Sequence, residues 1–392
     1  MRVISISPLP PAKDGIADYA GKLAQAYQAC GITMAAVTTT PDAAGSSMPV
    51  LGLVSWSPLT WWRTYRRAAG WHADAVHLQH GIATYGHLLP PLWLLIAALR
   101  LKGARTLVTH HEVTRDLERL GRVGRGYYRL VSTVTDVVHV HTEASAMAVR
   151  SVLNVPAARV LVVPHPVYDL PASTTDPAEL RRRHGLAGCT VLLFFGYVHV
   201  EKGLRELVEG LGRLFERAPH LRGELRLVIA GDVRPRPPAF SRFERADRDY
   251  LTGVLSRIEE LGLTADVVTT GHVPAGEVGA WFRACDLVAL PYTNTEQSGV
   301  AQLALAADVP VVATTAGGLA ELFAGTLPIF RTLTPDGIAD ALEEQLAAAT
   351  GNRWRLQYAL VRELGSPRRL ALEALARLGG STAVPPAQRV AL

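Results

Sequence analysis

Short runs of β-branched and aliphatic residues alternate with longer helical patterns along most of this chain, and that alternation constrains its fold more than any other feature. In the first half, Val3–Ser7, Met34–Thr38, Ala75–Gln79, Thr106–Thr109, Val137–His141 and Val160–Val163 read as strands. Ala17–Cys30, His87–Leu101 and Glu143–Leu153 read as helices. A stretch rich in Pro, Ser and Thr, from Pro164 to Pro177, interrupts the pattern and reads as a linker. The pattern then restarts. Strands Val191–Phe195, Leu225–Ala230, Asp266–Thr269, Leu287–Leu290 and Val309–Ala313 alternate with helices Leu204–Arg217, Phe240–Leu261, Glu277–Cys285 and Ser298–Ala307. Strand–helix alternation of this kind indicates parallel sheets with helices on both faces, and 392 residues suit two such domains better than one. The expected fold is therefore α/β, with two doubly wound domains, 1–168 and 169–375, facing across a cleft. The last helix is free to pack back on the first domain, and 380–392 reads as a loose tail. Ligands of doubly wound sheets bind at the carboxyl ends of the strands, which places the expected site between the domains. No repeat of the solenoid type is present.

Composition removes several functional classes. The hydrophobic fraction of 48% and charged fraction of 19% are those of a soluble globular protein. The net charge of +5 comes mostly from arginine, and Lys13, Lys22, Lys102 and Lys202 are the only lysines. Such a surface suits nucleic acid, an anionic membrane or a phosphorylated substrate. No recognition helix, zinc-knuckle spacing or aromatic-basic RNA signature supports nucleic acid. Cys30, Cys189 and Cys285 are far apart and form neither a disulfide framework nor a zinc site, which fits a reducing cytosol. The N-terminus runs straight into the strand-like Arg2–Ile6 without the features of a signal peptide. The most apolar stretch, Leu88–Leu99, holds Pro90 and Pro91 and is shorter than a membrane span needs. A soluble, cytoplasmic protein is expected.

Two segments carry chemistry. In Phe194–Leu204 a strand ends at Gly196 and a helix begins near Gly203, so Lys202 sits where a helix N-terminus turns its N–H groups and positive dipole end toward a ligand. A lysine there adds a full charge for a diphosphate, although an ordinary surface lysine at a helix start fits equally well. Ala289–Val300 repeats the arrangement. Gly299 permits close backbone approach, and the amides of Gly299 and Val300 can donate to phosphate oxygens. Glu296 lies just before them, where a carboxylate could accept from sugar hydroxyls, and Ser298 is by itself a good helix cap. Two such termini at matching places in one domain favour a nucleotide-sugar site.

Taken in order, the Gly196 to Glu201-Lys-Gly203 segment, Thr269–Pro274, Ala284–Val288, Pro291-Tyr292, Glu296–Val300, Val309–Val312 and Gly317–Glu321 resemble the family-4 nucleotide-sugar glycosyltransferases. That family has two Rossmann-like domains, the GT-B architecture, and the resemblance covers nearly the whole chain. It implies Lys202 on the diphosphate, with the loop from Gly196, and Glu296 on the transferred sugar. It also implies phosphate contacts from Gly299 and Val300 beside Ser298, and the backbone at His272-Val273 on the nucleobase. The run Pro10–Tyr19 resembles the family's glycine loop, which brings Gly15 to the diphosphate. Thr109-His-His-Glu112 resembles the segment holding its active-site histidine; spacing favours His111 over His110, and a structural histidine at a strand end fits nearly as well. The implied reaction moves a hexose-type sugar from a UDP- or GDP-linked donor to an acceptor hydroxyl with retention of configuration, using no metal or other cofactor. Two departures stand out. The second Glu common in the family is replaced by Ala304, with Leu303 beside it, which leaves Glu321 or the backbone to hold the nucleoside. The Arg that usually accompanies the loop lysine is replaced by Tyr197 and His199, and His199 could supply charge when protonated.

Other features have plainer alternatives. Asp247-Arg-Asp249 has the form of a metal motif but falls in a helical stretch, where residues two apart do not share a face, so a solvated helix surface is expected. Trp56, Trp61, Trp62, Tyr65 and Trp71 crowd with Arg63, Arg66 and Arg67. This cluster suits a membrane interface and a lipid-linked acceptor, a helix with buried aromatics, which is the simpler reading, or an aromatic acceptor pocket. Gln79-His-Gly81 reads as an acceptor contact or as a capped turn. A NAD-dependent oxidoreductase would need Gly-x-Gly-x-x-Gly between strand and helix, and Gly121, Gly124 and Gly126 have the wrong order. A sugar-nucleotide epimerase, a phosphorylase and a catalytically silent sugar-nucleotide-binding protein remain as rivals. The sugar, base and acceptor (glycan, lipid carrier or small metabolite) stay open.

Overall fold

The structure is a computed structural model that describes every residue except 11, 13, 14, 42, 44–47, 237–240, 324–329, 349–357, 360, 364 and 380–392. Lys13 in the N-terminal glycine-containing run, Phe240 and the tail 380–392 therefore lie outside the described residues. The chain divides into two compact units: Met1–Pro166 joined by the segment from Glu363 onward, and Val167–Arg362.

Among the described residues the first unit holds a seven-stranded sheet in the order β3-β2-β1-β4-β5-β6-β7, parallel throughout. The strands are β1 (Arg2–Ile6), β2 (Thr33–Thr38), β3 (Val50–Leu53), β4 (Ala75–His80), β5 (Arg105–His110), β6 (Val137–Val140) and β7 (Val160–Val162). Six helices follow strands in turn: α1 (Gly15–Ala29), α2 (Pro58–Gly70), α3 (Ile82–Tyr85), α4 (Leu89–Leu101), α5 (Val113–Thr133) and α6 (Glu143–Ser151). β1 pairs with both β2 and β4, so the strand order reverses there, at the point where such sheets open a crevice at their carboxyl edge. The C-terminal helix Pro367–Leu378 packs on α1 and β5 of this unit.

β3 and α5 of this unit are absent from the sequence reading. β3 is a short, half-buried edge strand containing Gly52, and a Cβ at that glycine would lie 2.2 Å from Thr64 Oγ1 of α2. The same hydroxyl accepts from the Leu53 amide at 3.1 Å and donates to the Leu53 carbonyl at 3.0 Å, which fixes α2 on the strand. α5 escapes notice because its glycines blur the helical period. Gly121, at φ +52, breaks it, and neither Gly121, Gly124 nor Gly126 occupies a strand-to-helix turn. The apolar stretch is also longer than expected. With the short helical turns before α4, the run Ile82–Leu101 reaches 20 residues at a mean hydropathy of 1.5, enough to cross a membrane by length and composition. In the fold α4 buries Leu92, Leu95, Ile96 and Leu99 in the core of the first unit.

The aromatic run splits between two environments. Trp61 stacks on Tyr65 at 5.6 Å, donates its indole N–H to the Pro91 carbonyl at 2.9 Å and packs on the core with Tyr65 and Trp71. Trp56 and Trp62 keep 59% and 51% of their surface exposed, beside exposed Leu59 and Arg63, Arg66 and Arg67.

The second unit holds a five-stranded parallel sheet, β10-β9-β8-β11-β12, among the described residues. Its strands are β8 (Thr190–Phe195), β9 (Leu225–Ala230), β10 (Val267–Thr269), β11 (Leu287–Leu290) and β12 (Val311–Ala313). The helices are α7 (Pro177–Arg183), α8 (Leu204–Arg217), α9 (Ser241–Glu260), α10 (Ala275–Ala284), α11 (Gly299–Ala306), α12 (Gly318–Phe323) and α13 (Pro335–Ala348). Leu193 and Val228 face one core with Trp281, Phe282 and Leu305, while Phe194 and Ile229 face the other with Leu207, Phe215 and Ile338. Apolar contact on both faces is why these strands read as continuous hydrophobic runs. Asp247 and Asp249 lie on α9, and Asp247 is paired with Arg236 at 2.8 Å, as part of a helix surface.

Candidate functional site

The carboxyl ends of β8, β11 and β12 place three loops side by side in the second unit. Gly196 leaves β8 at φ +98, and Gly231, beyond β9, approaches so closely that a Cβ there would lie 2.0 Å from the Gly196 carbonyl. A single 3₁₀ turn, Val200–Lys202, follows, and Gly203 at φ +66 opens α8. A Cβ on Gly203 would meet the Pro291 carbonyl oxygen at 1.9 Å, so the loops after β8 and β11 touch backbone to backbone. The Thr293 amide donates to the Glu201 carbonyl at 3.0 Å. Lys202 Nζ donates to Tyr292 Oη at 2.6 Å and lies 4.1 Å from the centroid of that ring. The third loop is tied in by Thr314 Oγ1, which donates to the Tyr292 carbonyl at 2.7 Å, and by Gly317, which lies against the Thr295 carbonyl. Glu296 is buried within this junction, and α12 carries Glu321 in its first turn directly after it.

At the start of α11, Ser298 takes the cap position. Its Oγ accepts from the Ala301 amide at 3.1 Å, and its carbonyl accepts from the Gln302 amide at 3.2 Å. The amides of Gly299 and Val300 occupy the positions that helix geometry leaves pointing off the end. Val300 Cγ2 lies 3.6 Å from where a Cβ on Gly196 would stand, so the phosphate-loop glycine and the helix start adjoin. A Cβ at Gly299 would meet nothing within 4 Å. Packing gives no reason for glycine there, whereas Gly203 and Gly317 have both positive φ and a backbone neighbour. Val273 turns its side chain into the core and His272 is exposed, which leaves the backbone of that turn as the available contact. Ala304 is fully buried in the core, where a carboxylate would need a partner.

Burial, and then the neighbouring Lys202 ammonium, lower the His199 imidazole from its ordinary value of 6.5, against the charge that its position could supply. Tyr292, as the partner of Lys202, is the residue that sequence reasoning missed. Its signal was present, since Pro291-Tyr292 ends β11 as Gly196 ends β8, but only the fold shows that the two ends meet.

In the first unit, Gly15 begins α1, and a Cβ there would again meet nothing within 4 Å. His111 follows β5, is 8% exposed and bonds through Nε2 to Gln79 Oε1 at 3.1 Å, with Tyr19 edge-on at 4.7 Å. His110 faces the other way. It is fully buried among His80 and Tyr128, with its Nδ1 3.0 Å from that of His80.

Beside them runs a hydrogen-bond chain with a single polarity. His139 Nε2 faces the Val163 carbonyl at 3.2 Å, which can only accept, so this nitrogen carries the proton. His139 Nδ1 then accepts from Thr109 Oγ1 at 2.9 Å, Thr109 accepts from His77 Nε2 at 2.7 Å, and His77 Nδ1 accepts from Tyr27 Oη at 3.0 Å. Protonating His77 or His139 would make Tyr27 or Thr109 turn its hydroxyl and accept instead, which breaks the polarity of the chain. Burial holds His77 and His80 down to about 3 and His139 to about 4, and it lowers His110, His111 and His141 well below 6.5. Among the described residues no group of three or more His, Cys, Asp or Glu is arranged to hold a metal ion.

Residues 14–166 match the family described as glycosyl transferase 4-like domain, and residues 189–348 match that described as glycosyl transferases group 1. The chain is 28% identical over 278 residues to the 2-deoxystreptamine glucosyltransferase of Streptomyces kanamyceticus, covering 66% of this chain and 64% of that protein. It is 31% identical over 288 residues to the D-inositol 3-phosphate glycosyltransferase of Paenarthrobacter aurescens, covering 69% and 64%. In both cases the match spans a little under two thirds of the relative's length. Among solved structures, Anabaena HepE in complex with UDP has a TM-score of 0.74 at 17% identity, covering 97% of this chain and 100% of that one. That likeness is one of fold.

The histidine set predicts acid lability. Each buried ring has a folded pKa below its unfolded value of about 6.5, so its contribution is fully present above that value and is lost as pH falls toward the folded pKa. Urea unfolding followed at pH 7.5 and pH 5 will show a lower midpoint at pH 5. The expected loss is up to about 2 kcal/mol for each histidine that stays neutral in the fold. A midpoint unchanged between the two would contradict this assignment.

Proposed function

We propose, on the premise that the chain belongs to the family-4-like glycosyltransferases of GT-B fold, that it moves a hexose-type sugar from a UDP- or GDP-linked donor to an acceptor hydroxyl. Transfer proceeds with retention of configuration and without a metal. The observation that carries this reading is the junction of the Lys202 loop with the start of α11, held by the Lys202–Tyr292 hydrogen bond and the Gly203–Pro291 contact. The relatives' names support the reaction class, and HepE, solved with UDP and with UDP-glucose, supports a nucleotide-sugar donor.

The chemical difficulty is a departing nucleoside diphosphate and a sugar carbon that gains positive charge. The Lys202 ammonium, the amides of Gly299 and Val300 and the dipole of α11 are fixed in advance and stabilise the leaving charge without reorganising. Glu296 accepts from hydroxyls of the sugar. The turn at Val273 meets the base through its backbone, and Glu321 is the carboxylate left for the ribose. The anomeric carbon–oxygen bond to phosphate breaks, the acceptor oxygen bonds to the same carbon on the same face, and the acceptor proton passes to the leaving phosphate. The cytoplasm is the proposed compartment, in keeping with three free cysteines.

A second reading, sugar-nucleotide binding without turnover, is favoured by the downward shift of His199 and the buried Ala304. It predicts donor binding and no product with any acceptor. The exposed face of α2, with Trp56, Leu59 and Trp62 beside three arginines, also suits peripheral contact with an anionic membrane.

Four measurements test these readings. Thermal-shift screening with UDP-, GDP-, TDP- and ADP-sugars will raise the melting temperature with at least one, because a ligand of the folded state stabilises it. Lys202→Ala will then reduce turnover with that donor by about 10²–10³-fold, and unchanged turnover would sink the assignment. Gly299→Ala will fold with stability equal to or slightly above wild type, since alanine suits a helix better than glycine, while nucleotide affinity falls about tenfold as the added methyl enters the phosphate space. Equal affinity would remove α11 from the site. Flotation with vesicles containing phosphatidylglycerol will carry the wild-type chain and release a Trp56→Ser/Trp62→Ser double variant; wild-type protein left at the bottom would dismiss membrane contact.

A further inference from the structure

The site proposed above sets one lysine against a diphosphate that carries more than one negative charge. Position 197, directly after the phosphate-loop glycine, holds a tyrosine, and burial lowers the His199 imidazole away from its charged form. Neutral donors have to meet the shortfall. We propose that Tyr292 is one of them and a ligand of the donor in its own right, its phenol O–H donating to a diphosphate oxygen beside the one that Lys202 meets. This rests on the nucleotide-sugar reading of the same site.

The contact between the two side chains fixes the direction in which the phenol works. Lys202 Nζ lies 2.6 Å from Tyr292 Oη. An ammonium has three donors and no acceptor, so the phenol oxygen accepts here and its own hydrogen cannot point at the lysine. Among the described residues Lys202 is the one partner of that oxygen, which leaves the O–H without an acceptor. The ring is 2% exposed and packs in the core of the second unit, and the half-buried lysine places its ammonium 4.1 Å from the ring centroid. The hydroxyl therefore stands at the rim of that core, beside a cation that a ligand can reach. A buried donor with no acceptor calls for a partner. The oxygens of one phosphate group are close enough for one to meet the ammonium and the next the hydroxyl.

Three loops hold the phenol in place. The Tyr292 carbonyl accepts from Thr314 Oγ1 at 2.7 Å. The Thr293 amide and Oγ1 both donate to the Glu201 carbonyl, at 3.0 Å and 3.3 Å. A donor fixed before the ligand arrives stabilises negative charge without reorganising. The lysine also strengthens it, since a hydrogen bond received from a cation polarises the phenol and makes its O–H a better donor. Lys202 has no carboxylate partner among the described residues, so this charge is not spent elsewhere. One positive charge is thus presented through two groups.

The test is a double-variant cycle on the full chain: wild type, Tyr292→Phe, Lys202→Ala and the two combined. UDP and GDP are titrated by calorimetry, with ligand-observed NMR for the weakest binders. Phenylalanine keeps the ring and its cation–π contact and removes only the hydroxyl. The expected result is about tenfold weaker binding of the preferred nucleotide by Tyr292→Phe, the size of a hydrogen bond to a charged group. A loss of at least about threefold will persist when Lys202 is already alanine. The melting temperature without nucleotide will stay at the wild-type value; a fall accompanying the weaker binding marks a packing defect and overturns the inference. Binding by Tyr292→Phe equal to wild type overturns it too and leaves the nucleotide-sugar reading standing. So does a loss that vanishes in the Lys202→Ala background, because the hydroxyl would then act only by holding the lysine. A wild-type chain that binds neither UDP nor GDP defeats the nucleotide-sugar reading and this inference together.

Discussion

A parallel strand can be followed by another only after the chain has crossed back over a face of the sheet, so every loop that leaves a strand starts from the same edge. In the second unit this constraint gathers chemistry from distant parts of the sequence. Lys202 leaves β8, Tyr292 and Glu296 leave β11, and Glu321 follows β12, yet their loops are bonded to one another at one end of one sheet. Hydrophobic burial on both faces holds the strands, and the strands hold the loops.

Glycine plays two opposed parts in that arrangement. At Gly203, Gly231 and Gly317 the absent side chain lets one backbone press on another, and it is this closeness that locks the junction. At Gly299, and at Gly15 in the first unit, the absent side chain leaves open space at the start of a helix. The first kind builds the rigid frame and the second leaves space beside the first backbone amides of a helix. A site that relies on preorganised dipoles needs both, since electrostatic stabilisation is strong only where the donors do not have to move.

Much of this was legible in the sequence. Helix Leu204–Arg217 and strands Leu225–Ala230 and Leu287–Leu290 have the boundaries that their apolar periodicity indicated, because buried parallel strands and amphipathic helices leave a strong pattern. β3 and α5 were not legible, since an edge strand of four residues with a glycine and a helix interrupted at Gly121 leave almost none. Lys202 was found from its place before a helix. Its bond to Tyr292 was not, because the partner lies in a different loop, and the downward shift of His199 was not, because burial in the fold sets it first and Lys202 second. The tryptophans show the same limit: composition marked the cluster, and only packing separates core Trp61 from exposed Trp62.

The Val163 carbonyl has a consequence beyond the tautomers it dictates. It accepts from His139 Nε2 at 3.2 Å and from His141 Nδ1 at 3.1 Å, which fills both of its lone pairs. A carbonyl so occupied has nothing left to offer a backbone amide of the neighbouring strand. The ladder between β6 and β7 stops within a residue of this point, where Pro164, which has no N–H to donate, follows Val163. The two imidazoles occupy the acceptor just beyond β7 and the proline removes the next donor, so side-chain chemistry and proline end the pairing together.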